Sequence, residues 1–187
     1  MKRAAIGVRA HSGWAALVSV CGKPGSVQVL DRRRIVIADT KVPGANQPYH
    51  FAERLELGAA EKHIAGCASV SERLAVAAIR DAVDDLKGYE ISGAVILLAS
   101  GRPLPTLPNI LASHALIHTA EGEFFRQIIR QGCASLGIAV TGIRERDLDK
   151  DLELLFEIAN LGKIVGPPWT QDQKTAALAA MMVLMAK

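Results

Sequence analysis

Residues 91–99, Ile91-Ser-Gly-Ala-Val-Ile-Leu-Leu-Ala99, are almost entirely apolar and are bounded by Gly88 before them and by a stretch with three prolines, 100–108, after them. Successive side chains of a strand point to opposite faces of a sheet, so a short run that is apolar in both rows reads as a strand covered on both faces. It is the expected central strand of a sheet layered between helices. The composition can supply those layers: 50% of the 187 residues are hydrophobic and 22% are charged, which excludes a disordered chain. This length suits a single domain, 1–187. Aromatic residues are only 4%, so the core must be aliphatic and base-stacking platforms are not expected.

Two β-compatible runs, 4–8 and 14–21, are separated by the turn residues Arg9-Ala-His-Ser-Gly13, and a third, 26–38, follows the turn Gly22-Lys-Pro-Gly25. In the third, Val27, Val29, Ile35 and Ile37 alternate with polar residues, as in a half-buried strand. These runs predict a three-stranded antiparallel meander. An irregular stretch with Pro43, Gly44, Asn46 and Pro48 begins an insertion at about 40–66. A helix is expected over 59–87, where Leu74, Ala75, Ala78, Ile79, Ala82, Val83 and Leu86 form one stripe, and Ser69-Val-Ser-Glu72 has the spacing of a capping box that could break it. After the central strand come a helix over 109–135, a short strand over 137–143, a helix over 147–160, a Gly166-Pro-Pro-Trp169 corner and a last helix from Thr170. Helical crossovers make the later strands parallel to the first, so the fold class is α/β with one mixed sheet.

Ligands of such sheets gather beyond the carboxyl ends of the parallel strands. The topology brings Arg9, His11, Ser12, Arg102, Arg144 and Arg146 to that rim. Together they suit a phosphate or carboxylate ligand, while ion pairs to Glu145 and Asp147 would make the same residues an ordinary solvated rim. On the helix over 109–135, His114, His118 and Glu121 stand at i, i+4 and i+7 on one face. A His pair at this spacing can hold a transition metal; equally, both rings can serve only as hydrogen-bond partners at the helix edge. Arg32-Arg-Arg34 on the third strand reads as protection of a sheet edge or as a basic patch. The excess of 22 Lys+Arg over 19 Asp+Glu is too small to demand nucleic acid or an anionic membrane.

Several segments resemble the ribonuclease H-like fold in its resolvase branch, the RuvC-type and YqgF-type Holliday-junction resolvases. Ile6-Gly-Val-Arg-Ala-His-Ser12 with Gly13-Trp-Ala-Ala-Leu-Val18 resembles the opening G-I-D-x-G-S strand and the G-x-A-x-V strand after it. Ala94-Val-Ile-Leu-Leu-Ala-Ser-Gly-Arg-Pro-Leu104 is similar to the V-V-G-L-P-L segment, Ala139-Val-Thr-Gly-Ile-Arg-Glu-Arg-Asp-Leu148 to V-x-x-V-D-E-R-L, and 176–184 to the last helix, D-x-x-A-A-x-x-I-L. The resemblance implies a three-stranded meander plus two parallel strands and a divalent-metal centre built of carboxylates. The sequence departs from the second implication. Arg9 stands where the first-strand Asp belongs, Ala176 where the last-helix Asp belongs, and the central strand leaves through Ser100-Gly-Arg102 without an acid. Glu145 and Asp172 are the acids that remain near these positions.

The expectation is therefore a degenerate, non-cleaving resolvase-like domain, a pseudonuclease that binds nucleic acid or another phosphate-containing ligand through Arg9, His11, Ser12, Arg102 and Arg144. The alternatives are a phosphoesterase or nuclease with a rebuilt centre and a homodimeric interaction module. In the rebuilt centre His118, Glu121 and Glu145 are catalytic, and His114, His118 and Glu121 hold one divalent metal. The homodimer would pair through the long helix before Gly88 or through the Met-rich last helix. Cys21, Cys67 and Cys133 are scattered among apolar residues and are expected to be buried thiols. Met1-Lys-Arg3 is not followed by the apolar stretch of a signal peptide, and the longest apolar run, 176–186, is shorter than the roughly 20 residues that cross a bilayer. A cytoplasmic protein without a membrane partner is the expectation.

Overall fold

The computed structural model describes residues 1–99, 103–148 and 151–186. Its sheet has the strand order β3-β2-β1-β4-β5, made of β1 (Lys2–His11), β2 (Trp14–Cys21), β3 (Gln28–Val36), β4 (Tyr89–Leu98) and β5 (Val140–Arg144). β1, β2 and β3 pair antiparallel, and β4 and β5 join parallel to β1. This is the expected mixed sheet of three antiparallel and two parallel strands. Ala94, Val95 and Ile96 of β4 are fully buried, so the apolar run of the sequence lies inside the sheet between its two helical layers.

One layer is α2 (Leu57–Asp84) and α4 (His114–Ser135), which bury Ala75, Ile79, Phe125 and Ile129 against Ile6, Val8, Leu17 and Ile96. The capping-box spacing at Ser69 does not break α2, since the Ser69 hydroxyl accepts a bond from Arg73 one turn later rather than capping a new helix. The expected 109–135 helix is two helices, α3 (Leu107–Leu111) and α4, separated at Ala112 and Ser113. The insertion contributes α1 (Pro48–Ala52). The segment leading into it is tied to the β1–β2 turn by the Ile37 N–H donating to the Gly13 carbonyl at 2.9 Å. Gly13 has φ +79°, a conformation other residues rarely adopt, and a side chain there would run into Asn46 of the insertion.

The other layer is α7 (Gln171–Met185), with α5 (Leu152–Asn160) and the short α6 (Gly162–Val165) outside it. The expected 147–160 helix begins later, at Leu152, after a 3-10 turn at Glu145–Asp147. Thr170 caps α7 by accepting from the Gln173 N–H while the Gln173 side chain accepts from the Thr170 N–H. Seven consecutive α7 residues, Thr175 to Met181, are buried, because the sheet covers one side and α5 the other. Beyond Met181 the helix is less covered: Met182 to Leu184 are half-buried and Met185 is exposed. Small residues make such depth feasible. A Cβ placed on Gly7 of β1 would lie 1.8 Å from the Ala176 carbonyl oxygen, so the two backbones meet directly.

The three arginines of β3, an edge strand, each have a defined task. Arg32 donates to the carbonyls of Val165 and Gly166 at 2.7 and 2.8 Å and to that of Pro168, holding the turn before α7. Arg33 pairs with Asp31 at 2.6 Å and Asp85 at 2.7 Å. The Arg34 guanidinium lies 4.1 Å over the Trp14 ring.

Gly7→Ala is expected to force strand and helix apart and to cost about 3 kcal/mol, the upper part of the usual range for overpacking. Urea unfolding of the variant beside wild type checks this.

Candidate functional site

The strand-to-helix contact at Gly7 fixes what lies beyond it. Arg9 is two residues further along β1 and therefore on the same sheet face as Gly7, and Asp172 is four residues before Ala176 and therefore on the same side of α7. The Arg9 guanidinium lies 3.2 Å from Asp172 and donates to Glu145, in the turn after β5, at 3.1 Å. His11, next on the same face, places Nε2 3.2 Å from the other Asp172 oxygen, off the line of a hydrogen bond, and its ring stacks on Trp14 at 4.2 Å between centroids. One arginine, one histidine and two carboxylates thus meet at the carboxyl ends of β1 and β5. Asp172 sits in the first turn of α7, where the helix dipole favours a negative charge.

This arrangement does not fit the carboxylate-held divalent metal implied by the resemblance. Such a centre needs several oxygen ligands around a cation, and here the side chain on the first strand is itself the cation. It already engages both of the acids that remain. A pocket of about 480 Å³ opens beside Glu145, between the 3-10 turn, α5 and α7, lined by the apolar Leu155, Ile158 and Leu178 and by the cations Arg146 and Lys174. Arg144 ends β5 without an ion pair among the described residues, and Arg146 is exposed and contacts Asp147 at 3.6 Å. Ser12 is exposed in the β1–β2 turn and outside the Arg9 cluster, and Arg102 falls outside the described residues.

The helix constellation has a different shape from the expected one. His114 and His118 do meet, Nε2 to Nε2, at 3.0 Å. Their third neighbour is His50 of α1, with ring centroids 5.4 and 4.7 Å from theirs. Glu121 lies behind His50, 3% exposed, and one of its oxygens faces three nitrogens: Tyr49 N–H at 2.8 Å, His50 N–H at 3.0 Å and His50 Nδ1 at 3.2 Å. It satisfies first-turn N–H groups of α1 that the helix itself cannot. Burial pushes the Glu121 carboxyl above its ordinary range, against the pull of the His50 and Tyr49 donors. Gly122 beside it leaves room for the Arg126 guanidinium. The structure therefore joins Glu145 to Arg9 and Asp172, and His118 to His114 and His50, in two clusters that share no residue.

His50 belongs to the second cluster without any motif that marks it in the sequence. For His50 no local signal exists, because it reaches α4 only through the path of the insertion.

No protein-family model matches this sequence, and no curated protein is detectably similar to it. Among solved structures the chain is similar to Thermus thermophilus RuvC in complex with a Holliday junction substrate, with a TM-score of 0.56 and 8% identity over 96% of this chain and 90% of that one. It is also similar to a Thermus thermophilus RuvC structure, with a TM-score of 0.55 and 8% identity over 95% and 91%. The chain has the ribonuclease H-like fold expected from its motifs.

All three cysteines are free and buried. Burial raises the Cys133 thiol from an ordinary 9.0 to about 11, so it stays protonated and unreactive in the native protein at neutral pH. A folded-state value above the unfolded one makes the stabilisation complete below about pH 9 and lost progressively as the pH rises toward 11. Native protein at pH 8 is expected to leave Cys133 unlabelled by a thiol reagent, with full labelling on unfolding, as read by peptide mass spectrometry.

Proposed function

We propose that this chain is a non-cleaving, resolvase-like domain that binds nucleic acid, or a ligand with the same phosphate chemistry, beyond the carboxyl ends of its parallel strands. The observation that carries the reading is the position of Arg9. Its guanidinium stands between Glu145 and Asp172, so the positive charge that a nuclease of this kind would take from bound metal is supplied by the protein. A fixed monovalent side chain cannot activate a water molecule as a metal ion does, so the site is suited to binding rather than hydrolysis.

The cations left for a ligand are those outside the cluster. Arg144, Arg146 and Lys174 lie along the same rim and the adjoining pocket, whereas Arg32, Arg33 and Arg34 are engaged by carbonyls, carboxylates and Trp14. Arginine at such a rim favours phosphate oxygens through its fork of donors. That one solved structure of similar fold is a RuvC in complex with a Holliday junction makes branched DNA the first probe.

Purified protein is expected to bind a four-way DNA junction with an affinity that falls steeply with salt and to leave it uncut in Mg²⁺ or Mn²⁺. Replacing Arg144 and Arg146 by Ala should lower the slope of log affinity against log salt by about 1 for each phosphate that is no longer neutralised. Fluorescence anisotropy across a salt series and a gel assay for cleavage are the measurements. Metal-dependent cutting, or no binding even at low salt, would overturn the reading.

A further inference from the structure

We infer that His50, His114 and His118 form a second site, independent of the Arg9 cluster, that binds one transition-metal dication of the zinc type and leaves one coordination position open. The three side chains offer ring nitrogens that all lie within 4.8 Å of one another. A tetrahedral zinc ion with bonds of about 2.0–2.1 Å needs its nitrogen ligands about 3.3 Å apart. His114 and His118 are already at 3.0 Å, and both are exposed at the start of α4, so small side-chain rotations can complete the set around a cation.

The hydrogen bonding around His50 prepares it as a ligand. The Glu121 oxygen nearest the ring also receives two backbone N–H groups, which marks it as an acceptor. His50 Nδ1 therefore carries the proton, and the lone pair is left on Nε2. A metal-binding imidazole whose other nitrogen donates to a carboxylate is the usual way in which proteins fix ring orientation and raise ligand basicity. Glu121 is in this view a positioning residue and not a ligand, which explains why a carboxylate is buried at the point where the insertion meets α4. The Nε2 atoms of His114 and His118 already face each other. Two neutral rings can meet at 3.0 Å only if one presents a proton to the other, and a shared cation satisfies both lone pairs.

Three imidazoles without a carboxylate ligand select zinc, cobalt, nickel or copper over magnesium and calcium. No further histidine completes the shell. His63 stacks on Phe51 and contacts the Cys67 sulfur at 3.5 Å, and His11 belongs to the Arg9 cluster. Three protein ligands with a fourth position left to water or an anion is the pattern of sites that do chemistry or bind anions, while structural zinc sites are closed.

Titration of untagged, chelator-treated full-length protein with Co²⁺, followed by its visible absorption, tests the site. The expected result is one equivalent bound with the intense bands of low-coordinate cobalt, displaced by Zn²⁺ and unaffected by excess Mg²⁺. His118→Ala should abolish stoichiometric uptake while circular dichroism stays unchanged, because His118 is exposed. Glu121→Gln should weaken binding by about 10–100-fold. Equal uptake by wild type and by a His114→Ala/His118→Ala variant, or no stoichiometric binding by wild type, would overturn the inference.

Discussion

The backbone-to-backbone approach of Gly7 and Ala176 is the constraint on which the functional end of this molecule depends. A helix normally keeps its distance from a sheet because side chains stand between them; here a glycine faces an alanine, and the helix settles onto β1. The periods of strand and helix then carry the alignment forward. Two residues along β1 and four residues back along α7 lie Arg9 and Asp172, which the contact brings within 3.2 Å. The capping box at Thr170 and the hold of Arg32 on the preceding turn fix where α7 starts, so Asp172 enters the site from a defined place.

Electrostatics at this rim differ from what a count of arginines suggests. The three arginines of β3 are satisfied inside the structure, and the Arg9 charge is balanced by two carboxylates. That distribution accords with the small formal charge of +3. It leaves Arg144, Arg146 and Lys174 as rim cations outside the Arg9 cluster and makes Arg9 an organiser of the rim. The histidine cluster lies elsewhere, where the insertion and α4 meet, and its ligands do not depend on the Arg9 pairings.

Much of the fold is legible in the sequence because its signals are local. The doubly apolar run of β4, the stripe of α2 and the alanine-rich α7 are each visible within one segment. The alternation over 26–38 is not one face: a register shift opposite Ser19 and Val20 sends Val27 and Val29 to the α7 side and Ile35 and Ile37 to the α2 side. The same locality misleads at the edges: Ser69 and Glu72 have capping-box spacing, yet α2 continues because buried Cys67, Ser71 and Ala75 keep its stripe facing the sheet side. Of the candidate site residues, Arg9, Glu145 and Asp172 can be named from sequence, since their positions follow from strand ends and a helix start. Their pairing cannot, because it depends on the depth at which α7 lies. His114 and His118 are visible as an i, i+4 pair. His50 is not, because only the three-dimensional course of the insertion brings it to them, and Glu121 reads as a ligand because sequence spacing shows which face a residue is on but not that α1 will cover it.

The most direct test of this account is a double-mutant cycle on stability with Arg9→Ala, Asp172→Asn and the two combined. The pair is partly buried and aligned by the strand–helix contact, so a coupling free energy on the order of 1 kcal/mol is predicted, at the upper end of what exposed ion pairs give. Strictly additive effects would contradict the claim that this register builds the site.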